Sequence, residues 1–144
     1  IEGPYYTPGA PEVAALADDD EPGRRIVILG RILDPADCAT PRAGWVVDLW
    51  HADDTGRYDN TGFHLRGRVV TAADGRFVVE TVLPGRYDVR PVRHIHFKVW
   101  DADGAERLTS QLYFAGDDRY DPADYAGPAV RLDDEMEGAL ALFV

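Results

Sequence analysis

Between residues 26 and 114 the chain is a series of short apolar runs cut by turn residues, with very little helical periodicity. The runs cover 26–33, 45–51, 67–71, 76–82, 93–100 and 108–114, and most are rich in Val, Ile, Trp and Phe. Between them lie Asp34-Pro35, Asp53-Asp54-Thr55-Gly56, Asp74-Gly75, Pro84-Gly85 and Asp103-Gly104, residues that reverse a chain cheaply. Short strands with a turn signal every ten residues or so predict an all-β, antiparallel β-sandwich. Asp74-Gly75 between two strand runs predicts a hairpin. Helical spacing is confined to 12–17 and 135–142, so few short helices are expected. The first 25 residues carry Gly3-Pro4-Tyr5-Tyr6-Thr7-Pro8-Gly9 and an acidic run, Asp18 to Glu21. They read as a long irregular N-terminal arm, with one domain over 26–144.

Composition narrows the possibilities further. The 144 residues suffice for one well-buried core. A net charge of −11 argues against a nucleic-acid partner, which would need a basic face. No apolar run approaches the length of a membrane span. No signal peptide opens the sequence, although a start at Ile1 leaves room for a removed leader. The lone Cys38, in a loop-like stretch, fits a reducing cytoplasm better than an oxidising exterior.

The chemistry is concentrated in Arg93-His94-Ile95-His96-Phe97-Lys98-Val99-Trp100. On a strand, His94 and His96 project from the same face. Two imidazoles side by side in an apolar wall need polar partners, and a metal is one of them. Spacing alone leaves Zn, Cu, Fe and Ni open. Gly56-Arg57-Tyr58 and Pro84-Gly85-Arg86-Tyr87 each place a tyrosine beside turn residues, and an ordinary tyrosine ionises near about 10. A phenolate at neutral pH therefore needs a strong Lewis acid, which favours Fe(III) over Zn(II). One rival is a cupin-like site, which adds a carboxylate and a third His; the other is a non-catalytic β-sandwich module.

In order along the chain, Glu2-Gly3-Pro4-Tyr5-Tyr6, the 44–58 stretch ending in Gly56-Arg57-Tyr58, Leu65-Arg66-Gly67, Pro84-Gly85-Arg86-Tyr87, His94-Ile95-His96-Phe97 and Ser110-Gln111-Leu112-Tyr113-Phe114 resemble the intradiol ring-cleavage dioxygenases. That family includes protocatechuate 3,4-dioxygenase and catechol 1,2-dioxygenase. The resemblance implies a β-sandwich and a Fe(III) cofactor held by Tyr58, Tyr87, His94 and His96. Tyr58 and His94 would be equatorial, Tyr87 and His96 axial, and Tyr87 the ligand that leaves when substrate binds. It further implies a small aromatic diol and O2 as reactants and a cis,cis-muconate-type diacid as product.

The family commonly places an arginine three residues before its first metal-binding His. Here that position is Pro91, so Arg90 is the expected guanidinium, with Arg93 directed to the opposite side of the strand. Gln111 matches the family's Gln-Leu-Tyr-Phe run, while Pro4, Tyr5 and Tyr6 are expected to wall the ring pocket. Arg57, Arg66 and Arg90 are the candidates to meet a substrate carboxylate. His51 and His64 read as structural or solvated, Asp48 and Asp53 as turn and cross-strand residues. Trp45 is expected to narrow a pocket or pack against a neighbouring subunit, and self-association as a homo-oligomer fits the compact, sheet-rich chain.

Overall fold

In the computed structural model, which describes residues 2–87 and 89–144, eight strands form two sheets. They are β1 (Arg25–Leu33), β2 (Val46–Trp50), β3 (Arg66–Val70), β4 (Arg76–Val82), β5 (His94–Trp100), β6 (Glu106–Phe114), β7 (Ala129–Val130) and β8 (Glu137–Phe143). One sheet has the order β4-β1-β8, the other β3-β2-β5-β6-β7. The alternation read from the sequence is what separates their faces. In β1 the even-numbered Ile26, Ile28 and Ile32 are buried, and in β5 Ile95, Phe97 and Val99 point the same way, toward the other sheet. With Val47, Leu49, Phe77, Val79, Leu112 and Phe114 they fill the space between the sheets.

Three expectations are corrected. β3 and β4 do not form a hairpin: β3 pairs with β2 and β4 with β1. The turn closes locally, Gly75 N–H donating to Ala72 O at 2.9 Å, but the strands then part into different layers. Asp103-Gly104, by contrast, does join the paired strands β5 and β6. Secondly, no helix occurs among the described residues. The Ala- and Leu-rich 135–142 segment mostly enters β8, where Leu140 and Leu142 turn inward and Ala139 and Ala141 outward. Pairing with β1 overrides its helical propensity. Residues 12–17 are likewise irregular rather than helical: Val13 N–H donates to Arg68 O and Leu16 N–H to Glu80 O, so the arm laces the edge strands β3 and β4. Thirdly, the sandwich is not purely antiparallel, because β1–β8 and β6–β7 run parallel. Tyr87 and Arg90 are joined by an isolated bridge; Asp88 lies outside the described residues.

Trp45 packs within the chain rather than against another subunit. It is 7% exposed in the core, with the Arg42 and Arg107 guanidinium carbons 4.9 and 5.3 Å from its ring.

His51 follows β2 directly and joins the two sheets. Its Nδ1 lies 2.6 Å from Ala52 O and its Nε2 2.7 Å from the Thr81 hydroxyl of β4. The carbonyl can only accept, so Nδ1 carries the proton and Nε2 accepts from Thr81. Burial holds its pKa down at about 4. The unfolded chain thus binds the extra proton first, and stability present above about 6.5 is lost as pH falls toward 4. Urea titrations at pH 7 and pH 4.5 should show a smaller pH-dependent loss for His51→Gln than for the wild type; equal losses would refute a neutral, buried His51.

Candidate metal centre

The chemistry lies on the outer face of the five-stranded sheet. Register places Arg66, Trp50, His96 and Gln111 in one row across β3, β2, β5 and β6. The adjacent row is Arg68, Asp48, Lys98 and Thr109, and on the other side His94 stands opposite Tyr113. Alternation makes β5 two-faced: its odd residues supply the core and its even residues, His94, His96 and Lys98, this outer surface. All seven residues except Trp100 are nonetheless buried. Something must cover the polar side.

The N-terminal arm does so. Glu2 forms an ion pair with Lys98 at 2.7 Å, and Lys98 also meets Glu106 at 2.7 Å and Thr109 at 3.0 Å. Burial opposes the Lys98 charge, but its bonds to Glu106 and Glu2 prevail and raise its pKa. A Cβ on Gly3, whose φ is +72°, would lie 3.5 Å from the His96 ring. The Tyr6 hydroxyl donates to Asp48 Oδ2 at 2.9 Å, and the Tyr6 ring lies 4.7 Å from that of Trp50. Tyr5 stacks on Tyr58 at 4.4 Å, whereas Pro4 is exposed in the turn between. Asp48 is thus a cross-strand group facing Arg68, and burial raises its pKa. Asp53 caps its turn by accepting from Thr55 and Arg57 N–H groups.

Two loops bring in the tyrosines. Gly56 and Gly85 pack backbone against backbone: a Cβ on Gly85 would stand 2.5 Å from Asp54 O and Gly56 N, and one on Gly56 2.3 Å from Arg86 O. Gly85 N–H donates to Asp53 O at 2.8 Å. Asp117, its side chain 1% exposed, bonds Arg86 and accepts from Arg93 N–H at 2.8 Å, fastening the second loop to the end of β6.

The four expected metal-binding residues converge. The rings of His94 and His96 are 4.8 Å apart, Tyr58 and Tyr87 5.9 Å, Tyr58 and His96 6.2 Å, and Tyr87 and His94 5.9 Å. His94 Nδ1 donates to Val92 O at 2.9 Å, which leaves the Nε2 lone pair facing the Tyr87 hydroxyl at 3.5 Å. Burial depresses the His94 pKa to about 4, so this lone pair is free of a proton at neutral pH. His96 is stacked flat on Trp50 at 5.1 Å. The Tyr58 hydroxyl is buried and has no hydrogen-bonded partner among the described residues. Burial, then the adjacent Tyr87 phenol, push its pKa well above the usual value. Burial raises Tyr87 likewise. Two imidazoles, with the His94 Nε2 lone pair turned toward the Tyr87 hydroxyl, and two phenols, the Tyr58 hydroxyl unsatisfied, fit a hard, strongly acidic cation. A cupin-like set does not assemble: among the described residues no three His, Cys, Asp or Glu side chains gather to hold a metal.

Arg90 rather than Arg93 reaches this cluster. Its Nη2 bonds Gln111 Oε1, which also accepts from the Tyr113 hydroxyl at 2.8 Å, and its charge favours ionisation of Tyr58, Tyr87 and Tyr113. Arg93 instead donates to Pro84 O at 2.5 Å. Arg66 is committed to Asp59 O through Nε and Nη2, its guanidinium carbon 5.9 Å from the centre of the Tyr58 ring, and Arg57 is exposed. His64 pairs with Glu21, away from the cluster. Sequence reading missed Lys98, Trp50 and Tyr113. The signal was present, since Lys98 and Tyr113 lie two residues beyond His96 and Gln111 on the same strand face.

The dioxygenase family model (Dioxygenase_C) matches residues 1–133. Chlorocatechol 1,2-dioxygenase of Pseudomonas sp. (strain P51) is 34% identical, over 84% of this chain and 57% of its own length. Catechol 1,2-dioxygenase of Acinetobacter baylyi is 36% identical, over 88% of this chain and 49% of its own. The chain therefore spans about half the length of the curated relatives it matches. The solved dioxygenase domain of a dioxygenase carbohydrate-binding protein fusion from Streptomyces sp. SirexAA-E superposes with a TM-score of 0.86 at 37% identity, covering 100% of this chain and 94% of that one.

The packed glycine pair sets the distance between the two tyrosine loops. Gly85→Ala, whose new methyl would stand closest to rigid backbone atoms, should cost about 1–3 kcal/mol in urea unfolding. It should also weaken ferric-iron uptake, followed by titration. A variant as stable as the wild type, with unchanged iron affinity, would show that this approach does not position the tyrosines.

Proposed function

The chain belongs to the intradiol ring-cleavage dioxygenase family, and we propose on that premise that it is a non-haem Fe(III) dioxygenase. It would use O2 to cleave a catechol-type ring between its two hydroxylated carbons, giving a cis,cis-muconate-type diacid. The observation that carries this reading is the convergence of Tyr58, Tyr87, His94 and His96, with a buried Tyr58 hydroxyl that no described residue satisfies. These four side chains would hold the metal. Iron(III), when bound, supplies the Lewis acidity that makes the two phenols phenolates and turns a bound catecholate electron-rich toward O2.

The protein's own groups have separable tasks. Tyr58, stacked under Tyr5 with its hydroxyl buried, is the fixed phenol. Tyr87 stands beside the turn that closes through its own bridge to Arg90, with Val89 79% exposed next to it. That local, surface-facing setting suits it to move away and to take a proton from an incoming catechol hydroxyl at its Oη. The Val92 carbonyl keeps the proton of His94 on Nδ1 and so orients Nε2. Arg90, steadied by Gln111, offers positive charge where negative charge develops on the ring. Pro4, Tyr5 and Tyr6 would form the arm side of the ring pocket, Tyr6 fixed by Asp48, and would limit water there.

The deciding experiment is the visible spectrum of iron-loaded protein, taken anaerobically with and without catechol. A broad phenolate-to-iron(III) band that moves to longer wavelength with catechol is expected, and Tyr58→Phe should abolish most of it. Protein that stays colourless after iron reconstitution would sink the proposal. Arg90→Met should keep the band while lowering kcat by about 10²–10³. An undiminished kcat would remove Arg90 from the reaction.

A further inference from the structure

Among the described residues, the outer face of the three-stranded sheet has no cover comparable to the arm. Its outward side chains form three parallel rows. The middle row is Val78, Leu29 and Ala139; Leu29 is 48% and Val78 44% exposed. On one side of it lie Glu80, Val27 and Glu137, on the other Arg76, Arg31 and Ala141. The middle and basic rows border a shallow hollow of ≈ 670 Å³. Apolar surface is thus flanked by acid at one end of the strands and by base at the other. Asp74 tempers the basic end, pairing with Arg76 at 3.1 Å and accepting from Arg31 Nε through its carbonyl at 2.9 Å.

We propose that this face binds a second copy of the chain across a two-fold axis running along the Val78–Leu29–Ala139 row. The occupant follows from the charge order. Rotation about that in-plane axis reverses the strands and keeps each strand's place across the sheet. It lays the apolar row on itself, sets Glu80 over the partner's Arg76, and sets the partner's Glu80 over Arg76. An isologous contact of this kind is self-complementary, as a two-fold requires, and two sheets stack face to face with strands within roughly 30° of alignment. A partner with uniform charge would clash with one end of the face. The candidate metal centre lies on the outer face of the other sheet, so both sites stay open in the dimer.

Sedimentation velocity on Glu80→Arg, on Arg76→Glu and on their equimolar mixture tests the arrangement. The wild type should be dimeric at micromolar concentrations and each single variant, like-charged across the axis, monomeric. The mixture should dimerise again, because each chain then meets its opposite charge. Leu29→Asp, exposed and equally central, should also be monomeric, with circular dichroism confirming that every variant folds. A wild type that is monomeric throughout would overturn the proposal and leave the face to a different partner. So would a dimer that survives all three substitutions, or a mixture that stays monomeric.

Discussion

The constraint on which the rest of this structure depends is that β5 is buried on both faces while only one of them is apolar. Ile95, Phe97 and Val99 enter the core, and burying them is favourable in the ordinary way. His94, His96 and Lys98 are just as enclosed, and enclosed polar groups cost free energy unless each finds a partner. The arm, the two glycine-hinged loops and the facing strands meet that demand. Glu2 and Glu106 neutralise Lys98, Val92 fixes the His94 proton, and Trp50 covers the His96 ring. The irregular first residues are therefore as much a part of the fold as the strands, although they form no strand themselves.

The same demand explains how a structural necessity becomes a chemical site. Most buried polar groups around the cluster are satisfied within the protein: Asp48 by Tyr6, Gln111 by Tyr113 and Arg90, His51 by Thr81 and Ala52. The Tyr58 hydroxyl is an exception, as are Trp50 Nε1 and Arg66 Nη1 beside it, and among these it is the group that can ligate a cation. Native interiors rarely leave a buried hydroxyl unmatched, and this one lies among a phenol and two imidazoles, of which His94 keeps its Nε2 free of a proton. An added cation would satisfy all of them together. Burial alone drives Tyr58 and Tyr87 toward the neutral phenol and His94 toward the neutral base, so a bound cation must draw out only the phenol protons.

Much of this was legible in the chain because it depends on period two. The two histidines share a face since they are two residues apart, and β1, β2, β4, β5 and β6 fall close to the alternating runs. What escaped reading depends on contacts distant in sequence. Whether an Asp-Gly turn joins partners in one sheet or sends its strands into two is decided by what β3 and β4 find beside them, β2 and β1. Ala139 to Leu142 has helical composition, and only the edge offered by β1 makes it a strand. Arg90 and Arg93 are separated by three positions, and strand alternation correctly turned Arg93 away from His94. Its actual partner, Pro84 O, could not be inferred without the loop.

The two outer faces end up with opposite solutions to one problem. A sandwich buries the inner face of each sheet and leaves two outer faces that must be wetted, covered or paired. On the five-stranded sheet the chain supplies its own cover, and the cover creates an enclosed, polar-lined space close to the exposed Val89. On the three-stranded sheet no segment among the described residues crosses the Leu29 row, and the side chains there are graded from acid to base rather than made uniformly polar. A surface selected only for solubility would have little reason to place Leu29 and Val78 together between those rows. The charge order has physical meaning when read against a reversed copy of itself, where it selects both the partner and the direction in which that partner lies.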